Sequence, residues 1–316
     1  MNSRPTVSVV IPTYNRSHLL GRAIRSVLNQ SYQDFEIIVV DDGSTDDTCG
    51  VVRGFQEFDG RIRYMRRNFR RGPSVARNVG IRAARGDYIG FLDDDDEWMK
   101  EKLEKQIRIF EGSPDSVGVV YTKIWRRWGR EGAYFPSLKV KQNSGNVYRE
   151  LLKWNFVHTP TVLVRAECFG RVGLFDEGFF AFEDWELFIR LSKFYEFRYL
   201  DELLVISHCT PGSLSCNEWA IVEGLERILQ KHFQDIQDSK RCLARFFYTI
   251  GSAWYQIGKT KQGRDYIFKA IKVYPFNFKY FVAAFLSLMG RKSYKLVAKL
   301  RRSFRPTMGC GCEWNP

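Results

Sequence analysis

The chain has 316 residues, 44% of them hydrophobic and 27% charged, a balance that fits a globular protein and excludes a disordered or fibrous one. Its 49 Lys and Arg against 36 Asp and Glu leave a formal net charge of +13 at pH 7. An anionic partner is therefore expected: nucleic acid, a phosphorylated small molecule or an acidic membrane surface.

Residues 7–122 alternate strand and helix signals. Val7–Ile11 is a β-branched run of the kind buried on both faces of a sheet, and Leu20, Ile24, Val27 and Leu28 follow at helical spacing after Ser17, a candidate cap. Phe35–Val40 predicts a second strand ending in Asp41-Asp42-Gly43-Ser44, and Ile62–Met65 a third. A helix is expected over Ser74–Ala84, behind Pro73. Tyr88–Leu92 predicts a fourth strand, ending in Asp93-Asp94-Asp95-Asp96, and helix Lys100–Phe110 and strand Val117–Thr122 complete the series. Such a series implies an α/β fold with an open, mostly parallel sheet and helices on both faces. Residues 123–182 are irregular and rich in aromatic and basic residues. Val162–Val164 and Leu200–Ile206 read as strands and Glu183–Phe194 as a helix. From about Asn217 onward the pattern is helical. Gly251, Trp254, Gly263, Ala270 and Pro275 have the spacing of one tetratricopeptide unit, but a single copy does not make a solenoid, and a plain helical region is expected. The expected domains are 1–215 and 216–316.

Neither end carries an obvious targeting or spanning segment. Val7–Pro12 is too short for a signal h-region, and Tyr280–Met289 falls short of the roughly 20 residues that cross a bilayer. The seven cysteines have no repeated Cys-x-x-Cys spacing, so neither a zinc site nor a disulfide framework is expected. A cytoplasmic protein is the expectation.

In open α/β sheets, ligands bind beyond the carboxyl ends of the strands. The two densest acidic clusters sit there, after Val40 and after Leu92. Adjacent carboxylates repel one another unless a cation compensates, and oxygen donors beside an anionic cosubstrate suit Mg²⁺ or Mn²⁺. Nine arginines between Arg61 and Arg85, uninterrupted by any acid, suit a diphosphate nearby. Ser44 and Asp47 have capping-box spacing, which gives Asp46-Asp47 a structural reading. Neither a P-loop nor a Gly-x-Gly-x-x-Gly motif occurs, which argues against ATPases and nicotinamide dehydrogenases. No DNA- or RNA-binding module is legible, so nucleic acid is not the expected partner. A phosphoacceptor signalling domain also gathers acids at strand ends, but the length and the second acidic cluster argue against it.

An ordered set of motifs now decides. Val9-Val10-Ile11-Pro12-Thr13-Tyr14-Asn15 is followed by Val39-Val40-Asp41-Asp42-Gly43-Ser44-Thr45-Asp46, Ala76-Arg77-Asn78-Val79-Gly80-Ile81 and Gly86-Asp87-Tyr88-Ile89. Phe91-Leu92-Asp93-Asp94-Asp95-Asp96, Phe175-Asp176-Glu177 and Glu183-Asp184-Trp185-Glu186-Leu187 complete it. Over residues 5–215 this resembles the family 2 glycosyltransferases. The resemblance implies a GT-A fold, here with an additional C-terminal helical region, and inverting transfer from a nucleotide-diphospho-sugar, with UDP the expected nucleotide. It makes Pro12, Thr13 and Tyr14 the loop packed on the base, with Asn15 nearby. Asp42 becomes the acid on uracil, Arg77 a neighbour of the nucleotide, and Asp93 and Asp94 acids that contact ribose or support the metal. Asp95 closes the Asp-x-Asp motif as ligand of Mn²⁺ or Mg²⁺, His208 matches a histidine that assists metal or diphosphate, and Asp184 matches the catalytic base. A helix N-terminus at Glu183-Asp184 would keep that base ionised and fixed. A non-catalytic sugar-binding relative is the alternative, although every key acid is present.

The expected acceptor is a glycan or a lipid-linked sugar. Trp125, Trp128, Tyr134, Phe135, Tyr148, Trp154 and Phe156 could supply aromatic platforms for it, two at most, the rest being core. The apolar run around Phe281–Met289 precedes Arg291, Lys292, Lys295, Lys299, Arg301, Arg302 and Arg305, a pattern that fits peripheral association with an anionic inner membrane face.

Overall fold

The computed structural model describes residues 4–128, 131–136, 143–208 and 217–289. Cys209, Cys216, the Arg291–Arg305 run and Cys310/Cys312 lie outside the described residues.

One sheet organises the first unit, residues 1–178 with 183–210. Strands β1 (Val7–Thr13) and β2 (Phe35–Asp41) are buried along their whole lengths, as continuous apolar runs require when helices cover both faces. They pair in parallel with β3 (Ile62–Arg66) and β4 (Tyr88–Phe91) in the order β3-β2-β1-β4. Because chain connections leave β1 in opposite directions, the crevice at the carboxyl ends of β1 and β4 is the natural ligand position.

Helix α1 (Ser17–Leu28) buries Leu20, Ala23, Ile24 and Val27, an i, i+3, i+4, i+7 stripe against the core of β1 and β2. Ser17 does not cap it. Its own N–H is instead taken by Asp46 Oδ2 at 2.9 Å, so the cap comes from the next loop. Nor do Ser44 and Asp47 form a capping box at α2 (Thr48–Phe58): Ser44 Oγ accepts the Asn15 N–H at 2.9 Å, and Asp46 Oδ1 takes the Thr48 N–H at 3.2 Å. Asp46 therefore serves the first turns of two helices. Helix α3 (Pro73–Ala83) lies close to β1, since a Cβ on Gly80 would come within 2.3 Å of Val10 Cγ1.

Beyond β4 the direction reverses. The two-residue strand β5 (Glu97–Trp98) leads to α4 (Lys102–Glu111) and to β6 (Val117–Trp128), which pairs antiparallel with β7 (Glu131–Phe135). The short helix α5 (Tyr148–Leu151) and a 3₁₀ turn at Thr159–Thr161 precede β8 (Val162–Arg165), which is antiparallel to both β4 and β6. Helices α6 (Glu167–Val172) and α7 (Glu183–Ser192) lead to β9 (Glu196–His208), parallel to β6 and antiparallel to β5. Both β6 and β9 run beyond their apolar segments. Register shifts between Val117 and Ile124 break the alternation from which strand length is read.

The second unit comprises 179–182 and 211–316. Its described helices are α8 (Glu218–Lys231), α9 (Phe233–Gln237), α10 (Lys240–Gln256), α11 (Thr260–Val273) and α12 (Phe278–Leu288). Asn217, Ser239 and Asn277 cap α8, α10 and α12 through their side-chain oxygens. α10 and α11 form a tight hairpin in which a Cβ on Gly251 would approach Gly263 O to 2.8 Å.

Candidate functional site

Three loops meet at the carboxyl ends of β1, β2 and β4. Asn15 takes the left-handed conformation at φ 52°, which asparagine tolerates better than most residues, and its Oδ1 accepts the Thr45 N–H at 2.7 Å. With the Asn15 N–H on Ser44, this joins the β1 loop to the β2 loop. Pro12 is buried within β1, while Tyr14 faces outward enough for the Arg70 guanidinium to lie 4.5 Å from its ring centre. Asp42 is buried. Its Oδ1 accepts from Arg67 at 2.7 Å, and Oδ2 from the Arg71 and Gly72 backbones at 2.9 and 2.6 Å. Gly72, at φ 97°, permits that approach at the start of α3. Asp42 thus holds the Arg67–Gly72 loop over the crevice.

The four acids after β4 diverge. Asp93 Oδ1 receives Arg77 Nη2 at 2.7 Å. Asp94 Oδ2 accepts from Thr13 Oγ1 at 2.8 Å, which accounts for Thr13 in structural terms. Arg16 Nη1 spans Asp94 (3.1 Å) and Asp95 (2.7 Å), and Arg22 Nη2 holds the Asp95 carbonyl at 2.6 Å. Asp96 Oδ1 accepts the His208 N–H at 3.0 Å, and His208 Nε2 lies 2.7 Å from Glu97 Oε1, because β9 passes alongside β5. Burial pushes the Asp94 carboxyl up to about 7 despite Arg16, with Asp95 adding to the rise. Burial, then Asp95 and Asp93, put Asp96 well above the usual carboxylate range.

That crowding is the test of a metal. The donors are hard oxygens short of positive charge, so they fit Mg²⁺ or Mn²⁺. Among the described residues no group of three or more His, Cys, Asp or Glu side chains is placed to hold an ion. Asp95 and His208 are the donors that could hold such an ion.

On the other side of the crevice Asp184 lies half-buried in the first turn of α7. Its Oδ1 accepts from the Trp185 N–H at 2.6 Å and from Asn155 Nδ2 at 3.3 Å, and its Oδ2 from Thr159 Oγ1 at 3.3 Å. The Thr159–Thr161 turn is itself pinned: Trp98 Nε1 donates to Pro160 O at 2.8 Å and Gln106 Nε2 to Thr161 O at 3.0 Å. Asp184 is fixed, as expected of a helix start, but it is not kept fully ionised. Burial, followed by repulsion from Glu183, raises it to about 7, outweighing the N-terminal dipole, the Trp185 N–H and Arg77.

Arg77 connects the two walls. It is 5% exposed, with Nη1 on Glu183 Oε1 and Nη2 on Asp93 Oδ1, each at 2.7 Å. Its neighbour Asn78 donates to Phe175 O at 2.9 Å and to Glu177 Oε1 at 3.1 Å, and accepts the Phe175 N–H at 2.9 Å. The Ala-Arg-Asn and Phe-Asp-Glu motifs thus hold each other in place. Sequence reasoning missed Arg16, Arg22, Asn155 and Thr159, whose partners lie between 25 and 79 residues away. Of the aromatic candidates, Phe156 is core, whereas Trp125 and the exposed Tyr134 pack with ring centres 4.4 Å apart and planes tilted by 53° on the β6–β7 hairpin.

Comparisons with known proteins bear on the family and the fold. The model for Glycosyl transferase family 2 matches residues 8–173. A GalNAc(5)-diNAcBac-PP-undecaprenol β-1,3-glucosyltransferase of Campylobacter jejuni is 47% identical over 100 residues, 31% of this chain and 32% of its own. Three further curated glycosyltransferases are spanned over only 26–30% of their length. Residues 1–349 of S. aureus TarS, solved in complex with UDP-GlcNAc, superpose with a TM-score of 0.64 at 18% identity, covering 95% of this chain and 93% of that one. The mannosyltransferase PcManGT of Pyrobaculum calidifontis, in complex with GDP-Man and Mn²⁺, gives 0.60 at 17% identity, covering 96% and 88%. Those structures share the GT-A fold with this one. With the family model covering more than half of its length, the chain belongs to glycosyltransferase family 2.

Proposed function

We propose that the protein transfers a sugar, with inversion, from a nucleotide-diphospho-sugar to a hydroxyl of a glycan or lipid-linked acceptor in polysaccharide or glycoconjugate synthesis. The observation that carries this reading is the Arg77 bridge, which holds acids of the donor side and the turn bearing Asp184 on a single guanidinium. UDP is the proposed nucleotide, in keeping with the UDP-GlcNAc complex of TarS. An undecaprenyl-linked acceptor is named for the Campylobacter relative, and a lipid-linked sugar at the cytoplasmic membrane face is the acceptor proposed here.

In this mechanism the Pro12–Asn15 loop forms the floor under the base, with the buried Thr13 holding Asp94 behind it. Asp42 and Asp93 address base and ribose, with Asp94 in support. Asp95 and His208 would hold Mn²⁺ or Mg²⁺, whose positive charge would stabilise the departing diphosphate. Asp184 accepts the proton of the acceptor hydroxyl as its oxygen attacks the anomeric carbon and the bond to the diphosphate breaks. A carboxylate raised to about 7 is well matched to that proton transfer near neutral pH. The Trp125–Tyr134 pair is the proposed platform for the acceptor ring.

The test is a nucleotide-sugar panel assayed with and without Mn²⁺. Asp95→Ala should lose metal-supported nucleotide binding. Asp184→Asn should bind donor normally but transfer about 10³-fold more slowly, within the span of lost general-base catalysis. Normal transfer by Asp184→Asn would show that the base lies elsewhere.

A further inference from the structure

Helix α12 is apolar on both sides. Its inward face is Tyr280, Ala283, Ala284 and Ser287, all buried against the α10–α11 hairpin. Its outward face carries Phe278, Phe281, Phe285, Leu288 and Met289, which are 44–79% exposed. At 100° per residue these five side chains fall within an arc of about 100°, centred roughly 140° from the buried one. Single exposed apolar residues are ordinary, whereas a continuous stripe of this size marks a contact surface.

Charge identifies the partner. From Lys259 to Cys312 the sequence holds thirteen Lys and Arg and one acid, Asp265. A second copy of the chain would bring two such cationic regions together, which like-charge repulsion opposes. An anionic lipid leaflet satisfies both features at once, taking the aromatic stripe at the level of its headgroups and the cations at its charged surface. No described helix is long and apolar enough to cross a membrane, so the contact is one of lying on the surface.

We propose that α12 docks this protein on an anionic membrane through its Phe278–Met289 face. The inference goes beyond sugar transfer and does not rest on it, because its test uses no nucleotide-sugar. The full chain is floated with vesicles of phosphatidylcholine alone or with about 30% phosphatidylglycerol, the second resembling an anionic leaflet. Binding is expected to the mixed vesicles, weakening as salt is raised. The double variant Phe281→Ser/Phe285→Ser should bind at least about tenfold less tightly, from the loss of inserted apolar area. Its thermal unfolding midpoint should stay unchanged, since both rings are exposed. Three results would overturn the proposal: no flotation of the full chain with mixed vesicles, equal flotation of the variant, or a dimer in light scattering that the variant dissolves.

Discussion

Glu36, at the amino end of the parallel sheet, and the acids that face the crevice after β4 are treated in opposite ways. At the amino end Glu36, 2% exposed, is surrounded by donors: Ser8 Oγ at 2.7 Å, Arg63 at 2.9 Å, Arg85 Nη2 at 2.9 Å and the Arg85 N–H at 2.8 Å. Burial alone would raise its carboxyl, but these partners together hold it below the usual carboxylate range. At the carboxyl end Asp94, Asp96 and Asp184 are packed with fewer cations than acids, and all three are pushed upward, chiefly by burial. The amino end is electrostatically finished; the carboxyl end awaits positive charge or a proton. Excess buried acid at only one end of a sheet is a mark of function rather than of folding.

Glu36→Ala should break the comparison hardest on the side of stability. It removes the acceptor shared by Ser8, Arg63 and Arg85, whose part-exposed guanidinium groups water can still reach, and should cost on the order of 2 kcal/mol in denaturant unfolding, with sugar transfer per folded molecule unchanged. The pH dependence has a fixed sign. Because the Glu36 pKa is lowered in the fold, its contribution is complete above the ordinary carboxylate range and is lost as pH falls through the folded value. A matching loss of transfer in folded Glu36→Ala would dissolve the distinction between the ends.

Arg77→Lys probes the opposite end. A lysine is a point charge and does not span Asp93 and Glu183 as a guanidinium fork does, so the two walls should lose their registration. We expect kcat to fall about 100-fold, the scale of a small misplacement of reacting groups. Steady-state kinetics would sharpen the comparison if KM for donor changed far less than kcat.

The smallest effect concerns Thr159. Removing its hydroxyl in Thr159→Val takes one donor from Asp184 Oδ2, which should lower kcat roughly tenfold, in line with one charge-assisted hydrogen bond. The acid limb of the kcat/KM profile is expected near pH 7 in the wild type, with activity lost below it as Asp184 takes up a proton. In Thr159→Val the limb should move to higher pH, because a donor that favours the ionised form is gone. An unmoved limb would detach Thr159 from the base.

Strand-end acids were legible in the sequence because a continuous apolar run states where a strand stops, as after Val40 and Leu92. The arginine block was not, because one block spans both ends of β3. Arg61 and Arg63 lie where that strand begins and meet Asp59 and Glu36, whereas Arg66 and Arg67 lie where it ends and meet the Ser44 carbonyl and Asp42. Four residues of strand separate them by about 13 Å, enough to move a charge from one side of the domain to the other. Arg85, just before β4, likewise belongs to the amino end. Pairing across 78 residues, as for Arg16 and Asp94, leaves no local pattern to read.

The double use of Asp46 and the Asn15 contacts have a bearing on engineering. Residues 15–17 and 44–48 hold each other by hydrogen bonds in both directions, since Asn15 gives to Ser44 and accepts from Thr45 while Asp46 accepts from Ser17. A loop exchange that imported 42–47 from a homologue and kept the resident Asn15-Arg16-Ser17 would strand donors on one side and acceptors on the other. The two segments form one exchangeable cassette, and chimeras built across these loops should carry both or neither.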